Sequence, residues 1–343
     1  MAARIACISV AASLAHGVAT AGALPERLAD TGLFVSGSIT EVHPGNLPFT
    51  PQYPLWSDGA AKRRWLYIPA GKSIDASKPD AWEFPAGTKL WKEFSQGRRV
   101  ETRMIERLGD GTWRFAAYVW NEQGTEATLA PESGIAALPV SSAPGGRYTI
   151  PGEADCRACH EGAAVPVLGV GALQLSADRD QLAPHAEPRK TGDLDLHGLV
   201  ERGWLRNVPA QMLKTPPRIK AETTVARAAL GYLHGNCGHC HNDNGAPPPV
   251  DLLLSQSATE AGVDKVMQSL LGALTRYRAQ GADASHAIEP GHPEKSVLVA
   301  RMRSRNPHNQ MPPLGTQVAD NEAIELIERW IRNQPQPSKE PLR

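Results

Sequence analysis

Two pentapeptides constrain this chain more than anything else in it: Cys156-Arg157-Ala158-Cys159-His160 and Cys237-Gly238-His239-Cys240-His241. Both are complete C-x-x-C-H sequences. Each puts two thiols where they can form thioethers with the two vinyl groups of one haem, and the adjacent His reaches the iron as proximal ligand. The remaining cysteine, Cys7, lies in a segment expected to be cleaved, so every mature cysteine belongs to one motif or the other. The expectation is two covalently bound haem c groups, attached through Cys156, Cys159, Cys237 and Cys240, with His160 and His241 on the irons.

Three other chemistries compete for the same residues. A four-cysteine zinc site usually separates its two knuckles by roughly 15–20 residues, whereas 77 residues lie between Cys159 and Cys237. A redox-active C-x-x-C pair needs a βαβ context that the flanks do not show. Paired structural disulfides are the third alternative.

Residues 1–23 have the parts of a secretory leader. Arg4 is the charge of the n-region, Ile5 to Leu14 are a short apolar stretch, and Ala19-Thr20-Ala21 or Ala21-Gly22-Ala23 supplies a small-residue cleavage site. No later stretch approaches 18 apolar residues, so no membrane anchor is expected in the mature chain. Removing Arg4 leaves 35 basic against 36 acidic residues. Near-neutrality argues against nucleic acid as a partner. The expected location is the periplasm.

Residues 24–150 read as a β-rich, sandwich-like domain. Six of the eight Trp lie there, and runs such as Trp65-Leu66-Tyr67-Ile68 and Lys89-Leu90-Trp91 are punctuated by turns. A hairpin is predicted from Arg99–Leu108 to Thr112–Asn121 across Gly109-Asp110-Gly111. The alternation of Trp113, Phe115, Ala117 and Val119 with Arg114, Ala116, Tyr118 and Trp120 predicts one face more apolar than the other. Tyr148-Thr149-Ile150 reads as a last strand delivering the chain to the first motif.

Residues 151–221 carry six prolines after the motif and read as an irregular haem-binding segment wrapped on its neighbours, with one short helix within Asp193–Leu205. Residues 222–335 read as α-helical. Thr223 or Thr224 caps a helix running into Cys237. The stripe Val263, Val266, Met267, Leu270, Leu271 and Leu274 predicts a second helix. A third is expected after His292-Pro293 and a fourth from Asp320, burying Ile324, Ile327, Trp330 and Ile331. Residues 336–343 are expected to be a flexible tail. The whole is an α+β multidomain chain.

This last segment resembles a class I c-type cytochrome: a helix leads into C-x-x-C-H, and a Met311-Pro312-Pro313 loop and an aromatic-bearing terminal helix follow in the family's order. The resemblance implies that Cys237 and Cys240 hold the porphyrin, that His241 is proximal and that Met311 is distal. It also implies a close crossing of first and last helices, where Ala229 and Leu233 stand in place of the family's Gly and aromatic. Independently, a thioether stabilises Fe(II) over Fe(III), and the two prolines stiffen its loop. Met267 and Met302 fit core packing instead.

The Pro54-Leu55-Trp56-Ser57-Asp58-Gly59 run and Arg98-Arg99-Val100-Glu101-Thr102-Arg103, with the paired motifs, resemble a group of secreted bacterial di-haem proteins. Asp58 and Lys62-Arg63-Arg64 read either as a turn with a solvated strand end or as a seat for an anion or a haem propionate. No Met-Pro-Pro follows the first motif. Its sixth-ligand candidates are Met212, His185, His197, Met104 and His43, or the position is open. Two readings follow. One is a carrier of single electrons to or from an exported redox protein or dehydrogenase. The other is a di-haem peroxidase-like enzyme with chemistry at the first haem. A third makes the β domain a docking module for a dehydrogenase or a polymer. No catalytic acid–base group is recognisable beside either motif.

Overall fold

A computed structural model describes residues 22–244, 252–259, 263–275, 277 and 285–336. The expected leader up to residue 21, with Cys7, and the tail from 337 lie outside the described residues. The strands are β1 Leu47–Pro48, β2 Ala61–Tyr67, β3 Ile74–Asp75, β4 Lys89–Gln96, β5 Arg98–Arg107, β6 Trp113–Trp120, β7 Ala127–Leu129, β8 Ile135–Pro139, β9 Arg147–Ile150 and β10 Leu205–Arg206. The helices are α1 Glu153–His160, α2 Leu196–Glu201, α3 Ala210–Lys214, α4 Thr224–Asn236, α5 Val263–Leu270, α6 Val297–Arg303 and α7 Asn321–Arg332. The architecture is mixed α+β.

Its centre is one six-stranded antiparallel sheet in the order β1-β2-β4-β5-β6-β7. The β5–β6 hairpin forms where the Asp-Gly turn predicts it. Leu108 N–H donates to Thr112 O at 2.8 Å, Gly111 takes φ +87°, and the Asp110 carboxylate accepts from the Thr112 N–H at 2.9 Å. Among the described residues no second large sheet packs on this one, as a sandwich would require. Among the described residues the other sheets are two-stranded, β8 with β9 and β3 with β10.

Chain segments outside the sheet do the covering, and they cover both faces. Leu28, Leu33 and Phe34 pack with Trp65, Trp91, Met104, Tyr118 and Trp120 on one side. On the other side Leu66, Leu90, Ile105 and Phe115 pack with Val167, Leu175, Leu196, Leu199 and Met212 of the segment after the first motif. The expected difference between faces of β6 is therefore absent. An antiparallel sheet often leaves one face to water, but here the stretches before and after it each bring their own apolar side chains.

The segment 161–221 is held by short elements rather than left irregular throughout. Asp195 caps α2 by accepting from the Gly198 N–H at 2.7 Å, and β10 pairs in parallel with β3. The last unit is helical as predicted. Thr223 caps α4 by accepting from Ala226 N–H at 3.1 Å, and Asp320 caps α7 by accepting from Ala323 N–H at 3.1 Å. Ala229 and Leu233 are fully buried in the core that α4 and α7 share, with Ile324, Ile327, Trp330 and Ile331.

Two helix boundaries differ from expectation. Pro293 opens a 3-10 turn, Pro293–Lys295, and α6 begins only at Val297. The stripe expected to run to Leu274 ends with α5 at Leu270, and Gly272 follows at φ +64°. Leu274 then lies beyond the helix, 75 % exposed.

The Pro-rich stretch before β2 fastens the sheet to the helices. Tyr53 lies against α4 so closely that a methyl group on Gly231 would stand 2.0 Å from its ring. Tyr53 Oη also reaches the Asp180 carboxylate at 3.2 Å. Asn236 accepts from Trp56 N–H at 2.6 Å and donates to Pro54 O at 3.2 Å. Among the described residues no helix is long and apolar enough to cross a membrane.

Candidate functional site

The first pentapeptide is the last five residues of α1, which β9 delivers through Pro151-Gly152. Asp155 accepts from Gly152 N–H at 3.0 Å and starts the helix, while Arg157 bridges Glu153 and Glu161 at 2.7 and 2.6 Å along its exposed side. His160 closes it. Its Nδ1 lies 2.6 Å from Pro166 O. A carbonyl only accepts, so Nδ1 carries the proton and Nε2 is left with the lone pair that a metal needs. Phe115 of β6 flanks the ring at a centroid distance of 5.3 Å. Burial pushes His160 down to about 4, which keeps the imidazole neutral.

The second pentapeptide starts where α4 ends. Cys237 N–H donates to Leu233 O at 2.9 Å, and His241 N–H to Cys237 O at 2.9 Å. Gly238 is required by space: a Cβ there would meet His234 O at 2.8 Å and Ser255 Cα at 2.9 Å. His241 is partly buried, and burial lowers its pKa. Its Nδ1 is buried with no hydrogen-bond partner among the described residues.

Met311 lines the same cavity as this second motif. Its N–H donates to Arg301 O at 3.0 Å, and Arg301 Nε donates to Asn309 O at 3.0 Å, which ties the loop to α6. Just past the loop, Asp58 accepts from Gln317 N–H at 2.9 Å and Val318 N–H at 3.0 Å, and Trp56 Nε1 donates to Val318 O at 3.2 Å. The Pro54–Gly59 turn is thus a clamp on the chain that carries Met311. Asp58 serves that clamp.

Both motifs and Met311 line one cavity of about 1020 Å³. That is at the large end for small-molecule sites, which run roughly 300–1,000 Å³. The chain just past the first motif touches the second motif and the residue after it. Asn242 Nδ2 donates to Gly162 O at 2.9 Å, and a methyl group on Gly162 would stand 2.8 Å from His239 O.

The four cysteines are free, with no disulfide among them. Burial raises Cys159 to about 11 and Cys237 to about 12, so both stay as thiols. A redox-active C-x-x-C pair needs the opposite shift. Among the described residues no three His, Cys, Asp or Glu side chains gather as a metal cage. Paired free thiols, a neutral His after each pair, and an apolar cavity between them are a donor set that fits covalently held haem. Cys156, Cys159, Cys237 and Cys240 would attach it, and His160, His241 and Met311 would face the irons.

The five sixth-ligand candidates for the first motif all lie off the cavity wall. Met104 is buried on the opposite sheet face with Trp65 and Trp91, and Met212 is buried in the core beside Leu199 and Leu205. His185 stacks on Trp56 at 4.7 Å and bonds Asp320 at 2.8 Å. His197 and His43 are exposed, the latter accepting from Gly45 N–H at 3.1 Å. The Met and His side chains that do line the cavity are His160, His239, His241, Met302 and Met311. Nothing in the sequence marks His239 or Met302 as a cavity residue. His239 is hidden as a variable position of the motif, and Met302 doubles as a core residue of α6.

No family model, curated protein or solved structure matches this chain.

Proposed function

We propose that this chain is an exported di-haem c-type cytochrome that carries single electrons between redox partners in the periplasm, one of them a secreted redox protein or dehydrogenase. The observation that carries the reading is the meeting of both C-x-x-C-H motifs and Met311 on one cavity, with the motifs joined by the Asn242–Gly162 hydrogen bond. Haem at each motif supplies a one-electron Fe(III)/Fe(II) couple. The residues of the chain do the rest. Cys156, Cys159, Cys237 and Cys240 fix the groups, and Pro166 O holds the His160 ring with Nε2 free. The Asp58 clamp and Arg301 hold the Met311 loop against the cavity.

One observation favours a second reading, a peroxidase-like enzyme. None of the five candidate sixth ligands for the first motif lines the cavity, and substrate chemistry needs a free or displaceable position on the iron. Reductive titration with carbon monoxide separates the two. The carrier takes up two electrons per chain in one-electron steps, binds carbon monoxide poorly at both centres, and turns over hydrogen peroxide no faster than free haem. Stoichiometric carbon monoxide at one centre, with peroxide-dependent oxidation of the other, overturns the carrier and establishes the enzyme.

A further inference from the structure

The cavity is lined by more positive than negative charge. Arg64, Lys92, Arg103, Arg147, Arg301 and Arg305 face three carboxylates, Asp58, Asp155 and Asp320. Asp58 accepts from the Gln317 and Val318 N–H groups and Asp155 from Gly152 N–H. Asp320 holds Ala323 N–H and His185 through Oδ1, while its Oδ2 is buried without a partner. Among the described residues none of the three forms an ion pair with Arg64, Lys92 or Arg103.

Three of the cations form a row across the sheet. Arg64 of β2 is paired with Lys92 of β4, and Lys92 with Arg103 of β5, so all three side chains leave the same face. Like charges directly opposite on neighbouring strands repel, and a buried cation is costly unless paired. Arg103 is paired, bidentate with Glu101 at 2.7 and 2.9 Å. Arg64, 5 % exposed, is half served: Nη1 reaches Glu187 at 3.1 Å, while Nη2 is buried with no partner. Lys92 makes no hydrogen bond or ion pair among the described residues, and its ammonium stands 4.8 Å from the Phe94 ring. Burial and the charge of Arg64 hold it well below the usual lysine range. Three cations share two carboxylates, Glu101 and Glu187, so the row is one anion short.

It faces the first motif. Phe115, on the same sheet face, touches His160, and the charges of Lys92 and Arg103 both bear on that imidazole. Arg103 also bears on Cys156 and Cys159. Arg301, by contrast, bears on His241 of the second motif. Lys92 bears on His239 of the second motif as well, while Arg103 bears on residues of the first.

We propose that Arg64, Lys92 and Arg103 form a carboxylate seat that holds the propionates of the haem carried by Cys156 and Cys159. The proposal rests on the di-haem reading and adds to it a task for the β-rich region: its inward sheet face is one wall of the first haem site. Arg and Lys suit that task, Arg through its forked donors and Lys as a point charge. A cation held beside a haem favours the reduced iron, so its removal lowers the potential.

The test compares wild type with Lys92→Gln and the charge-keeping Lys92→Arg in the full haem-loaded chain. Intact mass is read first, and all three should retain two haems. Lys92→Gln should lower the reduction equilibrium constant of one centre about tenfold, which is about 59 mV for one electron, and Lys92→Arg should restore it. Unchanged potentials in Lys92→Gln overturn the seat while leaving the haem reading intact. So does conversion of one iron to high spin in Lys92→Gln, which would make Lys92 an iron ligand. A wild type with no added haem mass overturns the haem reading and the seat with it. Should Lys92→Gln fail to mature, resonance Raman of the wild type decides: two sets of propionate-bending bands support the seat, and a single solvent-like set contradicts it.

Discussion

The side-chain amide of Asn242 donates to the carbonyl of Gly162 at 2.9 Å, joining the residue just past one C-x-x-C-H motif to the chain just past the other. The same Nδ2 also reaches Gly238 O at 3.0 Å and His239 O at 3.1 Å. Asn242 is 5 % exposed. Its two N–H bonds are shared among three carbonyls, that of Gly238 buried and those of Gly162 and His239 partly buried.

Asn242→Ala leaves those carbonyls without a donor. Leaving a buried polar group unsatisfied costs about 1–3 kcal/mol, so the variant should melt measurably below wild type. In the haem-loaded protein it should also weaken any interaction between the two centres. That is read as a loss of separation between the two potentials in a redox titration. An unchanged melting curve and titration would show that the motifs are held together by other contacts.

Gly231 makes a second, independent joint. A methyl group there would overlap the Tyr53 ring at 2.0 Å. Gly231→Ala should cost about 1–3 kcal/mol through overpacking, although alanine is the better helix former at an exposed site. A denaturation midpoint equal to or above that of wild type would show that Tyr53 moves aside freely.

These two joints explain which parts of the molecule can be read from the chain alone. α4 and α7 announce themselves through local signals, the Thr223 and Asp320 caps and the 3.6-residue stripe of Ile324, Ile327 and Ile331. The β5–β6 hairpin is equally local, resting on its Asp-Gly turn. The motif residues are legible because their chemistry demands fixed spacing. What is not legible depends on register between distant strands. Lys62-Arg63-Arg64 looks like one charged run, yet Arg63 turns to Glu93 at 2.7 Å on one sheet face while Arg64 joins Lys92 and Arg103 on the other. The two-sided burial of the sheet likewise depends on Leu28, Phe34, Val167 and Leu199, which no periodicity within β6 could reveal.

Met311→Ala should abolish the weak near-infrared band of Met-to-ferric-haem charge transfer and lower the potential of one centre, because a thioether stabilises Fe(II). His308, three residues earlier, is exposed and off the cavity wall, so His308→Ala should leave band and potential unchanged. An unaltered spectrum in Met311→Ala, or a shift in His308→Ala, would remove Met311 from the iron.

The His185–Asp320 contact predicts a pH dependence of stability. The hydrogen bond to Asp320 raises the His185 pKa above its ordinary value of about 6.5. A group raised on folding adds stability that is fully present below its unfolded pKa and is lost as pH rises through the folded one. The melting temperature should therefore fall from pH 6 to pH 8 by more in wild type than in His185→Gln. Parallel profiles for the two proteins would show that the imidazole is not charged in the folded state.

The most direct test of the di-haem account is the intact mass of the protein matured in a periplasm and stripped of loose haem by acid acetone. The account requires a gain of two haem masses over the polypeptide, reduced to one in Cys156→Ser/Cys159→Ser and to one in Cys237→Ser/Cys240→Ser. No gain in the wild type, or a gain that survives both double variants together, would contradict it.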